Sequence, residues 1–278
     1  MRPSHATLLL ATAGLTAGQD ASTNCTDGLY MIVARATAED PGTGRVGVVA
    51  QNISDAIPNS FIEPIVYPAT FANYTGSEAQ GVAAMTKAIR DRAAACPGAK
   101  MALLGFSQGA QVAADTLCGT DDGAGSAFAD TAELGDEYEG NIVAVIMFGD
   151  PSHSVGAPFN RGNATRNGIF GRRNVTACEP YTSKMRAWCD ANDLYCDSGN
   201  SSRVHGLYFN NTAYLDDASS FVISQFNEAG SGSGSGNSTS NSTDTSTSGG
   251  YSFKAGGMMQ SQIISAAFVA WFYTYIRI

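Results

Sequence analysis

Across residues 25–228 the chain alternates short apolar runs with longer stretches whose apolar residues recur at helical spacing. The apolar runs predict strands over 29–34, 65–67, 100–104, 142–148 and 184–188, and the periodic stretches predict helices over 45–57, 78–95, 108–118 and 212–227. The strand runs lack a sustained apolar/polar alternation, the pattern of strands covered on both faces. Strand and helix taking turns along the chain predicts an α/β fold, a three-layer sandwich with a central, mostly parallel sheet of five strands and helices on both sides.

The ends read differently. In residues 1–18, Arg2 precedes an apolar run around Leu8, Leu9, Leu10 and Leu15, followed by Thr16, Ala17 and Gly18. That order predicts a secretory signal peptide; a buried amphipathic helix would need a polar face, which the run lacks. Residues 229–250, built almost wholly of Gly, Ser, Thr and Asn, predict a flexible stalk. The last segment, 251–278, holds a polar spacer with Lys254 and Gln260 and then fourteen mostly apolar residues, 263–276. As a helix these would span about 21 Å, short of a hydrocarbon core of ~30 Å. Small residues at Ser248, Gly249 and Gly250, then spacer and apolar tail, match a GPI-anchor signal, although Arg277 interrupts the end of the tail. N-x-S/T sequons at Asn24, Asn52, Asn73, Asn163, Asn174, Asn200, Asn210, Asn237 and Asn241 agree with a secreted glycoprotein, attached at the cell surface if the tail is exchanged.

Charge narrows the function. With 16 Lys and Arg against 25 Asp and Glu the net charge is −9, which argues against a nucleic-acid partner. An acidic stretch from Asp121 to Glu139 matches no calcium-loop spacing and reads as a solvated loop. The six cysteines offer no paired C-x2-C for zinc, and in a secreted chain they fit three bridges. No metal or organic cofactor is implied, and a monomer is expected.

The sharpest local signal is Gly105-Phe106-Ser107-Gln108-Gly109, between a predicted strand and a predicted helix. This is the context of a nucleophile elbow: glycines on both sides admit a very tight turn, and the helix directs its positive end at the serine. A serine needs a base oriented by an acid. Of three histidines His5 lies in the signal segment, and His153 follows a strand as a loop residue whose polar groups backbone would satisfy. His205 precedes the last helix and completes the order serine, acid, histidine, with Asp190, Asp193 or Asp197 as the acid.

The elbow, the run Cys189-Asp190-Ala191-Asn192-Asp193-Leu194-Tyr195-Cys196 and His205 twelve residues beyond Asp193 resemble the fungal secreted serine esterases of the cutinase and acetylxylan esterase family, over nearly all of 25–228. The resemblance implies an α/β-hydrolase-type fold and an acyl-enzyme mechanism with Ser107 as nucleophile, Asp193 as acid and His205 as base. It places the oxyanion donors on Thr37 and the backbone N–H of Gln108; by itself Thr37 would read as a turn or cap residue. It pairs Cys25 with Cys96, Cys118 with Cys178, and Cys189 with Cys196. The second bridge and the Asp-Leu-Tyr-Cys run look more like the acetylxylan branch, so the expected substrate is an acetylated wall polysaccharide, with cutin polyester as the alternative. A wall-anchored glycoprotein without activity is the rival of another class, and the complete Ser107, Asp193 and His205 set argues against it.

Overall fold

A computed structural model of the protein describes residues 25–120 and 128–231. All of them belong to the unit that ends at Gly236; the second unit, Asn237–Ile278, lies outside them, as do residues 1–24, so the leader, most of the stalk and the tail are not described. No helix among the described residues is long and apolar enough to cross a membrane.

Six strands, all parallel, form one sheet: β1 (Tyr30–Ala34), β2 (Phe61–Pro64), β3 (Met101–Phe106), β4 (Ile142–Phe148), β5 (Asn160–Gly162) and β6 (Met185–Cys189), in the order β2-β1-β3-β4-β6-β5. The expected five strands become six because β5 exists. Its sequence, Asn-Arg-Gly, carries no apolar signal, and it is a short strip on the sheet edge beside β6. The second strand is also displaced. The apolar run at 65–67 is a loop in which Ile65 and Tyr67 are buried and Val66 is 90% exposed, while the strand precedes it at Phe61–Pro64. As an edge strand it keeps only part of its surface covered, which blunts the apolar pattern.

The central strands feed two cores. Tyr30, Ile32 and Ala34 of β1 face α2 (Tyr74–Ala95) and α3 (Gln108–Cys118), while Met31 and Val33 face α1 (Gly47–Ala56) and α5 (Thr212–Ser231). In β3, Met101 and Leu103 join the first core and Ala102, Leu104 and Phe106 the second. Burial on both sides explains why these runs read as continuously apolar.

Strand order positions the site. From β1 the chain passes through α1 to β2 on one side; from β3 it passes through α3 to β4 on the other. The neighbours β1 and β3 therefore send their connections in opposite directions, and a crevice opens at their carboxyl ends, where ligands bind in open α/β sheets. The loop with Thr37 leaves β1 there, and Ser107 follows β3.

Candidate active site

Ser107 stands between β3 and α3 with φ +54° and ψ −120°, a conformation that costs a non-glycine residue about 1–3 kcal/mol. The close packing of the turn demands its glycines. A Cβ on Gly105 would lie 2.2 Å from the Gly109 carbonyl oxygen, and one on Gly109 would lie 2.1 Å from that of Ala34. α3 is thereby drawn against the end of β1. Its first two N–H groups, those of Gln108 and Gly109, have no acceptor within the helix and are available to a developing negative charge, while the Ala110 and Gln111 N–H groups donate to the Ser107 carbonyl. The Gln108 side chain is fully buried: its Oε1 accepts from Ser77 Oγ at 2.8 Å and its Nε2 donates to the Thr70 carbonyl at 3.4 Å.

Thr37 lies on the opposite wall. Its Oγ1 is buried without a hydrogen-bond partner among the described residues. The loop that holds it is braced by Glu39, whose Oε2 accepts from the Ala36 N–H at 2.7 Å and whose Oε1 accepts from the Arg45 N–H at 3.1 Å. Arg45 in turn donates to the Gly206 carbonyl, tying this loop to the histidine turn.

His205 ends α4 (Ser202–His205), a single turn capped by Ser201, whose side chain accepts from the Val204 N–H. Its Nδ1 lies 2.9 Å from Asp193 Oδ2 and 3.1 Å from Oδ1. Nε2 is buried and unpartnered among the described residues, so the ring presents an unused nitrogen. Phe106 stacks on the ring at 5.0 Å, and Tyr195 meets it edge-on at 4.6 Å. Gly149 closes the back: a Cβ there would come within 2.7 Å of the ring.

Asp193 is fully buried. Burial opposes its charge, but hydrogen bonds from His205, from the Tyr208 phenol at 2.7 Å and from the Tyr195 N–H at 2.7 Å hold its carboxyl below the usual carboxylate range. An ionised Asp193 must accept here, which puts the histidine proton on Nδ1 and leaves Nε2 as an acceptor. The other acids of the loop are engaged elsewhere. Asp190 accepts from the Tyr214 phenol, and Asp197 from the N–H groups of Asn192, Thr165 and Arg166 and from the Arg166 side chain. Asp197 orders the loop from behind and Asp193 alone reaches the histidine. His153 is buried away from this cleft, beside a small interior void with Asp150, Ser152 and Asn160. Its N–H donates to the Asp150 carbonyl as a loop histidine should, but its ring Nδ1 has no partner among the described residues.

Ser107, His205, Thr37, Arg45, Glu39, Phe71, Phe106 and Tyr195 line one open cleft of about 260 Å³. A strained serine, an acceptor nitrogen held by a buried carboxylate, and donors on the facing wall are the parts acyl transfer requires. The structure pairs Cys25 with Cys96, Cys118 with Cys178 and Cys189 with Cys196; the last bridge closes the loop that carries Asp193.

The cutinase family model matches residues 24–226. The chain belongs to the cutinase family. Among its relatives, Cutinase 11 of Verticillium dahliae is 35% identical over 80% of this chain and 75% of its own length. The acetylxylan esterase of Hypocrea jecorina is 35% identical over 81% and 78%. Among solved structures, the catalytic core domain of the Trichoderma reesei acetyl xylan esterase superposes with a TM-score of 0.67 at 33% identity, over 73% of this chain and 100% of that one. Like these relatives the protein is a carboxylic ester hydrolase. In this member of the family Glu39, Arg45, Gly149 and Tyr208 support the site without any motif that would single them out in the sequence. Each acts through a backbone group or a partner far away in the chain, such as Arg45 and Gly206, 161 residues apart.

Proposed function

We propose that Ser107 is the nucleophile of a serine esterase. His205 Nε2 takes the hydroxyl proton as Ser107 Oγ attacks the ester carbonyl; Thr37 and the Gln108 N–H receive the oxyanion. Collapse expels the alcohol, protonated by the imidazolium, and leaves an acyl-Ser107. Water, deprotonated by His205, then releases the acid and restores the serine. Asp193 holds the ring in the Nδ1–H tautomer throughout. The observation that carries this reading is the left-handed backbone at Ser107 in the same cleft as a histidine whose Nδ1 is bound to a buried, ionised carboxylate. An active-site phosphonate should label Ser107 alone, mapped by peptide mass spectrometry, and Ser107→Ala should lose the label and the activity together. A label elsewhere, or none on active enzyme, refutes the assignment.

The substrate reading is a short-acyl ester of a wall polysaccharide, acetylated xylan first. It is supported by the Cys118–Cys178 bridge and by Tyr195, whose ring against His205 limits the room beside the nucleophile. Cutin is the second reading, favoured by Phe71, 60% exposed at the rim of the cleft and available to an aliphatic chain. Rates on p-nitrophenyl acetate, longer acyl esters, acetylated xylan and cutin separate them: a rate that falls with acyl length supports the first, one that rises supports the second.

The protein is further proposed to be secreted and carried to the cell surface, with residues 1–18 removed and the tail exchanged for a GPI anchor near Ser248. Three bridges among the described residues fit an oxidising compartment. The sequon side chains at Asn52, Asn73, Asn163, Asn174, Asn200 and Asn210 are all exposed, so a glycan at Asn200 need not enter the cleft. A mature C-terminal peptide that still holds residues 263–278 would refute the anchor.

A further inference from the structure

Tyr208 sits three residues beyond His205 and is 1% exposed. Its phenol has three neighbours at hydrogen-bonding range: it donates to Asp193 Oδ2 at 2.7 Å, accepts from the Asp190 N–H at 3.0 Å and touches Cys196 Sγ at 3.3 Å. It therefore joins the Cys189–Cys196 loop to the histidine turn, with the Asp193 carboxylate as the junction. Oδ2 is shared by Tyr208 and His205, whereas Oδ1 is held by the backbone N–H groups of Tyr195 and Cys196. Among the described residues the phenol is thus the one side-chain donor, apart from the histidine, on the oxygen closest to the ring.

Building on the triad proposed above, we infer that Tyr208 is a positioning residue for catalysis: its hydroxyl fixes the rotation of the Asp193 carboxylate and draws off part of its charge. The charge effect has a definite sign. A carboxylate stripped of a donor concentrates more charge on the oxygen facing His205 and stabilises the imidazolium more strongly. The base then stays protonated, and the enzyme inactive, to higher pH. Other charged or titratable groups around the pair are Asp190, bound to Tyr214; Asp197, bound to Arg166; Tyr195 on the ring; Arg45 and Glu39 across the cleft; and His153 behind β4. None of these donates a side-chain hydrogen bond to Asp193.

The test is Tyr208→Phe in the full chain, with Ser107→Ala as control. Phenylalanine keeps the ring that packs on Phe148 at 6.0 Å and Phe106 at 6.4 Å. Expected are a kcat on p-nitrophenyl acetate lower by roughly tenfold or more, the size of a hydrogen bond to a charged group, a KM within about twofold, and an acid limb of the pH–rate profile displaced to higher pH. Combined with Asp193→Asn, Tyr208→Phe should add almost no further loss, because both act through one carboxylate. An acid limb in its wild-type place, with only the melting temperature lowered, or full additivity with Asp193→Asn, overturns the inference and leaves the triad standing. Wild-type activity that survives Ser107→Ala overturns the triad itself. Should Tyr208→Phe not fold, 3-fluorotyrosine at position 208 is a stronger donor and should move the limb to lower pH; an unmoved limb counts against the inference.

Discussion

Ser107 holds its place in the cleft lining at the cost of backbone strain. At φ +54° and ψ −120° its Cβ makes a conformation that glycine adopts freely. Ser107→Gly should therefore abolish activity while raising stability. Relief of about 1–3 kcal/mol of strain, less about 0.5–1 kcal/mol for the extra chain entropy of glycine, leaves a net gain of roughly 1 kcal/mol. In a domain of this size that is a melting temperature higher by about 2–4 °C, measured by differential scanning calorimetry. An unchanged or lower value would mean that the elbow holds no releasable strain. The elbow was legible in the sequence because strand, glycines, serine and helix are contiguous. Tyr208 was not, because its role depends on a carboxylate fifteen residues away, brought to it by a disulfide loop and a one-turn helix. The choice among Asp190, Asp193 and Asp197 had the same origin: only the fold shows that Tyr214 occupies the first and backbone N–H groups with Arg166 the last.

Among the elements, β1, β3 and β4 were readable because burial on both faces makes their sequences continuously apolar, β6 because Arg186 alone interrupts its apolar run, and α3 because its two ends are marked by Ser107 and Gly119. The edges of the sheet were not. β2 and β5 are only partly covered, so no apolar pattern is imposed on them, and the nearby run of Ile65, Val66 and Tyr67 draws attention to a loop. The bridges divide their labour along the same lines. Cys25–Cys96 closes a separation of 71 residues and ties the entry to β1 to the end of α2, far from the catalytic loops in the chain. Cys189–Cys196 closes a separation of 7 and carries Asp193 between its ends. Loop-closure entropy assigns about 4 kcal/mol to the first and about 2.5 kcal/mol to the second. Paired Cys→Ala variants should thus separate: loss of Cys25–Cys96 lowers the denaturation midpoint more and leaves kcat near wild type at a temperature where the variant is folded. Loss of Cys189–Cys196 lowers the midpoint less and kcat at least tenfold, an order-of-magnitude expectation for misplacing a catalytic partner. Equal effects on kcat would contradict this division.

For the molecule as a whole, one buried carboxyl cluster ties stability to the acid side, whereas the proposed mechanism favours a less acid solution. Glu78 of α2, Asp115 of α3 and Asp150 just after β4 are all buried, with Arg172 paired to Asp115. Burial, then the neighbouring Asp115 carboxyl, pushes Glu78 up to about 9; burial likewise raises Asp115 and Asp150 against the opposing pull of Arg172. A carboxyl that keeps its proton longer in the folded than in the unfolded chain contributes stability that is whole below the ordinary carboxylate range. For Glu78 that contribution is lost as the pH rises through about 9. Asp193 and Asp197, held low by their hydrogen bonds, behave in the opposite sense: their contribution is present above the ordinary range and lost in strong acid. In the proposed mechanism turnover by contrast needs a neutral imidazole at His205, so a less acid solution favours it. Glu78, raised to about 9, is the member of this cluster whose proton is still held in neutral solution. Glu78→Gln replaces the proton-dependent group by a neutral one of the same shape, so the fall in melting temperature between about pH 5 and about pH 9 should become shallower than in the wild type. The pH–rate profile measured at low temperature should not move, because Glu78 does not line the catalytic cleft. A melting profile as steep as that of the wild type would show that alkaline loss arises outside this cluster.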